Sequence, residues 1–188
     1  GVINDIIYHQ DIGVIDSPFI ENQFKLFPGV INSLKKLQRL KYKIFVVSNQ
    51  PGIAKKHFTI ETHNKINNKM LRIFKTNNIS PAGVYYCFHH PESKIRSLRK
   101  KCDCRKPEPG LILKAAKEFK LSLKDSYIIG DSLTDIQAGQ TAGLKTIMIT
   151  NVKCDLCKFM NIKSCFPEYF AKNLKEAVEI ITKRGKKS

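Results

Sequence analysis

Apolar runs of strand length alternate along this chain with amphipathic stretches of helix length, and that alternation restricts the fold more than any other feature. Val30 to Leu40 carries apolar side chains at Val30, Ile31, Leu34, Leu37 and Leu40, a helical spacing, behind the start signal Pro28-Gly29. Lys43 to Val47 reads as a buried strand ending at Ser48-Asn49-Gln50. Thr59 is placed to cap a helix from Ile60 to Lys75, and Gly83 to Cys87 is a second strand. Pro109 to Phe119 is helical, with the proline in an early turn where it is tolerated. Tyr127 to Ile129 is a strand running into Gly130-Asp131, and Leu133 to Ala142 is a helix closed by Gly143. Thr146 to Ile149 and Leu174 to Thr182 end the series as strand and helix. The expected fold is α/β, a Rossmann-like doubly wound parallel sheet with helices on both faces. Such sheets bind ligands beyond the carboxyl ends of their strands. The polar groups just after each apolar run are therefore the candidates for function.

At 188 residues the chain is about one domain long, and 42% hydrophobic residues allow a real core. No apolar run approaches the length that spans a bilayer, and no secretory h-region is visible, so no membrane partner is expected. The net charge of +17, from 33 Lys and Arg against 16 Asp and Glu, has three readings: a nucleic-acid footprint, lysines spread over solvated faces, or an anionic substrate. The charges are scattered, which favours compositional bias together with a phosphate ligand. Little of the sequence interleaves aromatic and basic residues as base-stacking surfaces do, so nucleic acid ranks low as a partner.

Cys87 and His89 are one residue apart, as are Cys102 and Cys104, with twelve residues between the pairs. Three thiolates and an imidazole at this spacing can close a tetrahedron around Zn²⁺. Arg105-Lys106-Pro107 follows at once, so a structural metal would pin the loop and steady two cations. Metal binding in a reducing cytoplasm is favoured over disulfides. His90, beside His89, is expected near the metal or on the surface rather than as a ligand. Cys154-x-x-Cys157 and Cys165 would need a fourth ligand to hold a second metal, and their role stays open.

The remaining candidates fall at strand ends. Ser48, Asn49 and Gln50 can hold a phosphate oxygen through a hydroxyl and backbone amides, although turn chemistry also favours Ser-Asn-Gln-Pro-Gly. Gly130-Asp131-Ser132-x-x-Asp135 places a carboxylate where Mg²⁺ could be held; Asp131 could instead cap the next helix, and Asp135 could be structural. Lys106 suits neutralisation of a phosphoryl group, and Arg105 a bidentate grip on a second anion.

Ser48-Asn49-Gln50-Pro51-Gly52-Ile53-Ala54, Tyr85-Tyr86-Cys87-x-His89-His90-Pro91, Cys102-Asp103-Cys104-Arg105-Lys106-Pro107 and Gly130-Asp131-Ser132-Leu133-Thr134-Asp135 resemble the haloacid dehalogenase superfamily. Within it they look like the zinc-containing heptose bisphosphate and histidinol phosphatase branch. The resemblance covers roughly Gly1 to Thr150. It implies a phosphatase domain over residues 1–150, with 151–188 as an extension ending in a helix and a basic tail. It also implies catalytic Mg²⁺ held partly by Asp131, structural Zn²⁺ on Cys87, His89, Cys102 and Cys104, and a phosphate cradle from Ser48 and Lys106. Asn49, Gln50, Arg105 and Ser132 would bind substrate.

The family opens with a strand and Asp-x-Asp-Gly-[Thr/Val]-Ile-Asn, of which Gly1-Val2-Ile3-Asn4 matches only the tail. The resemblance therefore puts the nucleophile, the acid/base aspartate and the first strand upstream of Gly1. The expectation is an incomplete gene or a trimmed sequence rather than a natural design, and near-inactivity for the chain as it stands. Asp5, Asp11 and Asp16 lie on the wrong side of the glycine, in what should be a loop.

The function implied is hydrolysis of a sugar bisphosphate, foremost a heptose 1,7-bisphosphate to its 1-phosphate, by a cytoplasmic monomer. Histidinol phosphate is the nearest alternative substrate. A DNA-end phosphatase and an inactive zinc-bearing binding module are the alternatives of other classes.

Overall fold

The computed structural model describes residues 1–149 and 164–184, apart from the side chains of residues 14, 15 and 184. Cys154 and Cys157 lie outside the described residues. The chain forms two compact units, one from Ile3 to Lys101 and one from Cys102 onward, with Gly1 grouped in the first and Val2 in the second.

The first unit opens with a feature that the sequence reading treated as a loop. Strands β1 (Ile7–His9) and β2 (Val14–Asp16) pair antiparallel around a 3-10 turn at Gln10–Ile12. Gly13 closes that turn at φ +65, a left-handed conformation that costs glycine little. Three-residue strands are too short to carry an alternation signal, which is why periodicity missed them.

Helix α1 (Val30–Arg39) buries Val30, Leu34 and Leu37 along one stripe. Helix α2 (Ile60–Thr76) starts at Thr59, whose Oγ1 accepts from the Thr62 backbone N–H at 3.2 Å, as the capping rule predicts. Strands β3 (Phe45–Asn49) and β4 (Gly83–Cys87) pair in parallel, with Ser48 opposite Tyr86 and Asn49 opposite Cys87. Ser48 and Asn49 thus close the strand rather than follow it.

The second unit holds a three-stranded parallel sheet in the order β5 (Tyr127–Gly130), β6 (Lys145–Ile149), β7 (Tyr169–Ala171). β6 lies in the middle, and its Thr146, Ile147 and Met148 are fully buried. Helices α3 (Gly110–Phe119), α4 (Leu133–Thr141) and α5 (Leu174–Arg184) accompany it. Ile112, Ala138, Ala142 and Leu144 form one core cluster, and Ile136, Met148 and Cys165 another. Gly143, at φ +79, ends the α4 region as expected of a left-handed stop.

The α/β class and the parallel pairing agree with the sequence. Among the described residues the parallel strands pair as β3–β4 in the first unit and β5–β6–β7 in the second. Segment 164–184, expected as an extension, contributes β7 and α5; Tyr169 to Ala171 register with Ile147 to Ile149. Cys165 is 2% exposed and offers its thiol to Gln140 Oε1 at 3.4 Å, a core position rather than part of a variable tail.

Candidate active site and metal loop

In the first unit, the segment after β3 is tied to β4. The Gln50 backbone N–H donates to the Cys87 carbonyl at 2.8 Å, while its side-chain Nε2 donates to Ser48 Oγ at 3.1 Å. The Ser48 hydroxyl points back toward the Asn49 carbonyl at 3.3 Å, a weak bond. Ser48, Asn49 and Gln50 are therefore brought together with the first cysteine of the metal loop by parallel register alone.

Ser48 and Gln50 also line a small cavity of about 70 Å³, with Asn4, His63, Asn67 and Tyr86 among its walls. Tyr86 donates to Asn67 Oδ1 at 2.8 Å, and burial pushes its hydroxyl up to about 12. His63 is 5% exposed and meets Tyr86 and Phe88 edge-on. Burial pulls its pKa below the ordinary value, with the Asn64 side chain opposing. Tyr86 stood in the sequence only as part of a motif, and Asn67 and His63 gave no signal there, because each belongs to a helix or strand pattern that burial alone explains.

The four residues expected as metal ligands in the loop from Cys87 to Cys104 lie close together. Cys87, His89, Cys102 and Cys104 each offer one atom, and these four atoms lie within 4.8 Å of one another. Cys87 Sγ is 3.8 Å from His89 Nδ1, and Cys102 Sγ is 3.2 Å from Cys104 Sγ. Ligands on a tetrahedral zinc with Zn–S bonds near 2.3 Å stand about 3.8 Å apart, so the set fits zinc with small adjustments. Burial, with Lys100 second, lowers the His89 pKa and favours the neutral imidazole that a metal needs. His90 is not in this group; its Nδ1 accepts from the Glu92 backbone N–H at 3.1 Å. Ser93 braces the loop: it is 1% exposed, and its hydroxyl engages the carbonyls of Ala54 (3.2 Å) and Ile95 (2.9 Å).

In the second unit the Gly130-Asp131-Ser132 segment leaves β5 and enters α4. The cap of α4 is Ser132, not Asp131: Ser132 Oγ accepts from the Thr134 N–H at 3.2 Å, and Asp135 Oδ2 accepts from the Ser132 N–H at 3.1 Å. This is a capping box of the Ser-x-x-acid type, so the spacing of Ser132 and Asp135 was the available signal. Asp131 is exposed at the carboxyl end of β5, where one oxygen ligand for Mg²⁺ would sit.

Lys106, expected in a phosphate cradle, is 9% exposed, with its ammonium 2.5 Å from Asp135 Oδ1. Gly130 makes room for that pair, since a Cβ there would lie 2.2 Å from Asp135 Cβ. Asp135, for which the sequence offered a structural role, therefore holds Lys106 near the carboxyl end of β5 while capping a helix. Arg105 is half-buried, and its carbonyl accepts from the Glu108 N–H at 2.9 Å. The arrangement offers fixed positive charge next to an exposed carboxylate, which suits an anion bound together with a divalent cation.

The sequence pattern of the HAD-hydrolase-like family matches residues 103–177. The D-glycero-beta-D-manno-heptose-1,7-bisphosphate 7-phosphatase of Vibrio cholerae is 36% identical over 126 residues, covering 67% of this chain and 68% of that protein. The protein of the same description from Salmonella typhi is 36% identical over 123 residues; the match spans 65% of this chain and 65% of that relative's length. Among solved structures, the D,D-heptose 1,7-bisphosphate phosphatase of B. bronchiseptica, complexed with magnesium and phosphate, aligns with a TM-score of 0.77 at 24% identity, covering 98% of this chain and 94% of the other. That last likeness is one of fold.

Proposed function

The chain belongs to the haloacid dehalogenase-like hydrolase family, and on that footing we propose that its gene product is a Mg²⁺-dependent phosphomonoester hydrolase acting on a sugar bisphosphate. The substrate proposed is D-glycero-D-manno-heptose 1,7-bisphosphate, cut at the 7-phosphate to leave the 1-phosphate, the activity for which the relatives are named. The reading carries with it a cytoplasmic setting and a monomer. No helix among the described residues is long and apolar enough to cross a membrane.

The observation that carries the proposal is the buried Lys106–Asp135 pair beside the exposed Asp131. An ammonium held in place costs no reorganisation when charge develops on phosphoryl oxygens, and that is where such a group contributes most. Lys106 is assigned that role and Arg105 the remainder of the substrate. Ser132 and the amides of Ser48, Asn49 and Gln50 are assigned phosphate and substrate contacts. Asp131 would hold Mg²⁺, which when bound offsets charge on the transferring group. Cys87, His89, Cys102 and Cys104 would hold Zn²⁺ as a closed, structural site. The nucleophile and acid/base aspartates implied by the resemblance are assigned to no carboxylate of the present residues.

The test is phosphate release by the full gene product from the heptose bisphosphate and from histidinol phosphate, with and without Mg²⁺. Heptose bisphosphate should be the preferred substrate, turnover should require Mg²⁺, and Lys106→Met should lower kcat by about two orders of magnitude. Preference for histidinol phosphate would overturn the substrate assignment. Metal-independent turnover would overturn the reaction class.

A further inference from the structure

The amino ends of β3 and β4 lie at the opposite end of the first unit from Ser48, and an open hollow of about 570 Å³ sits there. Asn32, Lys35, Gln38, Arg39 and Asn78 line it. Its walls are α1 and the turn that follows α2. Gln38 ties the two together: its Nε2 donates to the Asn78 carbonyl at 2.9 Å, and its Oε1 accepts from the Ser80 N–H at 2.7 Å. Asn78 itself is left-handed, at φ +56. The floor is thus set by hydrogen bonds that Gln38 completes within the protein.

The charge around this hollow is one-sided. There is no Asp or Glu between Glu21 and Glu61, and none between Glu61 and Glu92, so neither wall carries a carboxylate. Lys35 and Arg39 stand at i and i+4 on one helix face, a spacing at which like charges repel. Among the described residues neither takes part in an ion pair. Lys41 and Lys43 follow on the connection into β3 and add to the same sign. α1 does not relieve the repulsion with an acidic neighbour, so an anion from outside the chain is the group that would.

We propose that this hollow is a second anion site, independent of the phosphatase reading, and that it takes a soluble oligophosphate such as the polyphosphate portion of a nucleotide. Arg39 supplies a planar fork for phosphate oxygens, Lys35 a point charge, and the Asn32 side chain a neutral donor. The volume suits a small molecule rather than a single phosphate. Among the described residues no aromatic ring lines the hollow, so these offer no platform on which the bases of a nucleic acid would stack.

Inorganic tripolyphosphate is the probe, added to the whole chain in low salt while backbone and side-chain amide resonances are followed. Shifts should concentrate at Asn32, Gln38 and Asn78. Any binding near Ser48 and Gln50 is read separately from their own amides. Lys35→Glu with Arg39→Glu should weaken the site by about tenfold or more, since both attractions become repulsions. Lys55→Glu with Lys56→Glu makes the same change in net charge elsewhere and should leave affinity at these amides within about twofold, because screened charges act locally. Lys35→Gln with Arg39→Gln keeps the test valid should the acidic pair unfold the protein, and should also weaken binding. The proposal is overturned if the two sites of charge reversal lose affinity equally or if shifts are spread over all basic faces. It is overturned in favour of a nucleic-acid surface if an oligothymidylate binds these residues more tightly than tripolyphosphate.

Discussion

Asp135 serves two elements with one carboxylate: Oδ1 pairs with the Lys106 ammonium at 2.5 Å, and Oδ2 accepts from the Ser132 N–H at 3.1 Å. Both side chains of the ion pair are 9% exposed, so removing either partner strands a charge away from water. Asp135→Asn alone is expected to destabilise the protein by about 3 kcal/mol. Lys106→Met alone should cost less, because Asp135 keeps the Ser132 bond. The double variant should recover much of the Asp135→Asn loss in urea unfolding. Additive single effects would show that the pair is not coupled.

Gly139 gives a prediction in which two effects of known size oppose. Alanine in place of a helical glycine stabilises by about 1 kcal/mol. A Cβ at Gly139, however, would lie 2.3 Å from Ile128 Cγ2 and 3.0 Å from Thr146 Cγ2. Overpacking of that kind costs about 1–3 kcal/mol. Gly139→Ala should therefore lower the unfolding midpoint, and a raised midpoint would mean that α4 can shift off the sheet.

The zinc assignment predicts about one equivalent of zinc per chain, measured by elemental analysis. Cys102→Ser should reduce that content, and chelation of the wild-type protein should lower its Tm. If stability and substrate affinity both survived Cys102→Ser unchanged, the loop would not be a structural clamp.

His63 makes stability depend on pH. Its folded-state pKa lies below the ordinary 6.5, chiefly through burial. On acidification the unfolded chain takes up this proton first, so stability is fully present above about pH 6.5 and falls as pH drops from there toward the lowered native value. His57 is shifted in the same direction, again mainly by burial, and adds to the slope. His63→Phe, which keeps a ring against Tyr86 and Phe88, should flatten the decline seen in urea midpoints. An unchanged slope would assign it to other groups.

Cys165 should be the slowest of the described thiols to react with a disulfide reagent. It is 2% exposed, and burial pushes its pKa up, which depletes the reactive thiolate. Labelling should follow global unfolding, with the rate rising as denaturant is added. Rapid labelling of native protein at Cys165 would contradict its place in the core with Ile136 and Met148.

The helices and the longer strands were legible because their periodicity is local. Val30, Leu34 and Leu37 mark a buried face, and Thr59 marks a start, whatever the rest of the chain does. The Cys/His cluster was legible for a related reason: Cys87, His89, Cys102 and Cys104 fall in two tight pairs within one loop. The short strands β1, β2 and β7 carry too few residues to show a period.

Local order along the chain was thus enough to determine the α/β class, most element positions and the Cys/His residues that cluster in one loop, because each depends on residues a few positions apart. Only the folded structure decided which partner each polar group takes. Lys106 meets Asp135, the Gln50 amide meets the Cys87 carbonyl, and Gln38 bridges to Asn78, each across a separation that no spacing rule spans. Burial sets the strength and protonation of such contacts, and burial is a property of packing that a linear sequence does not carry.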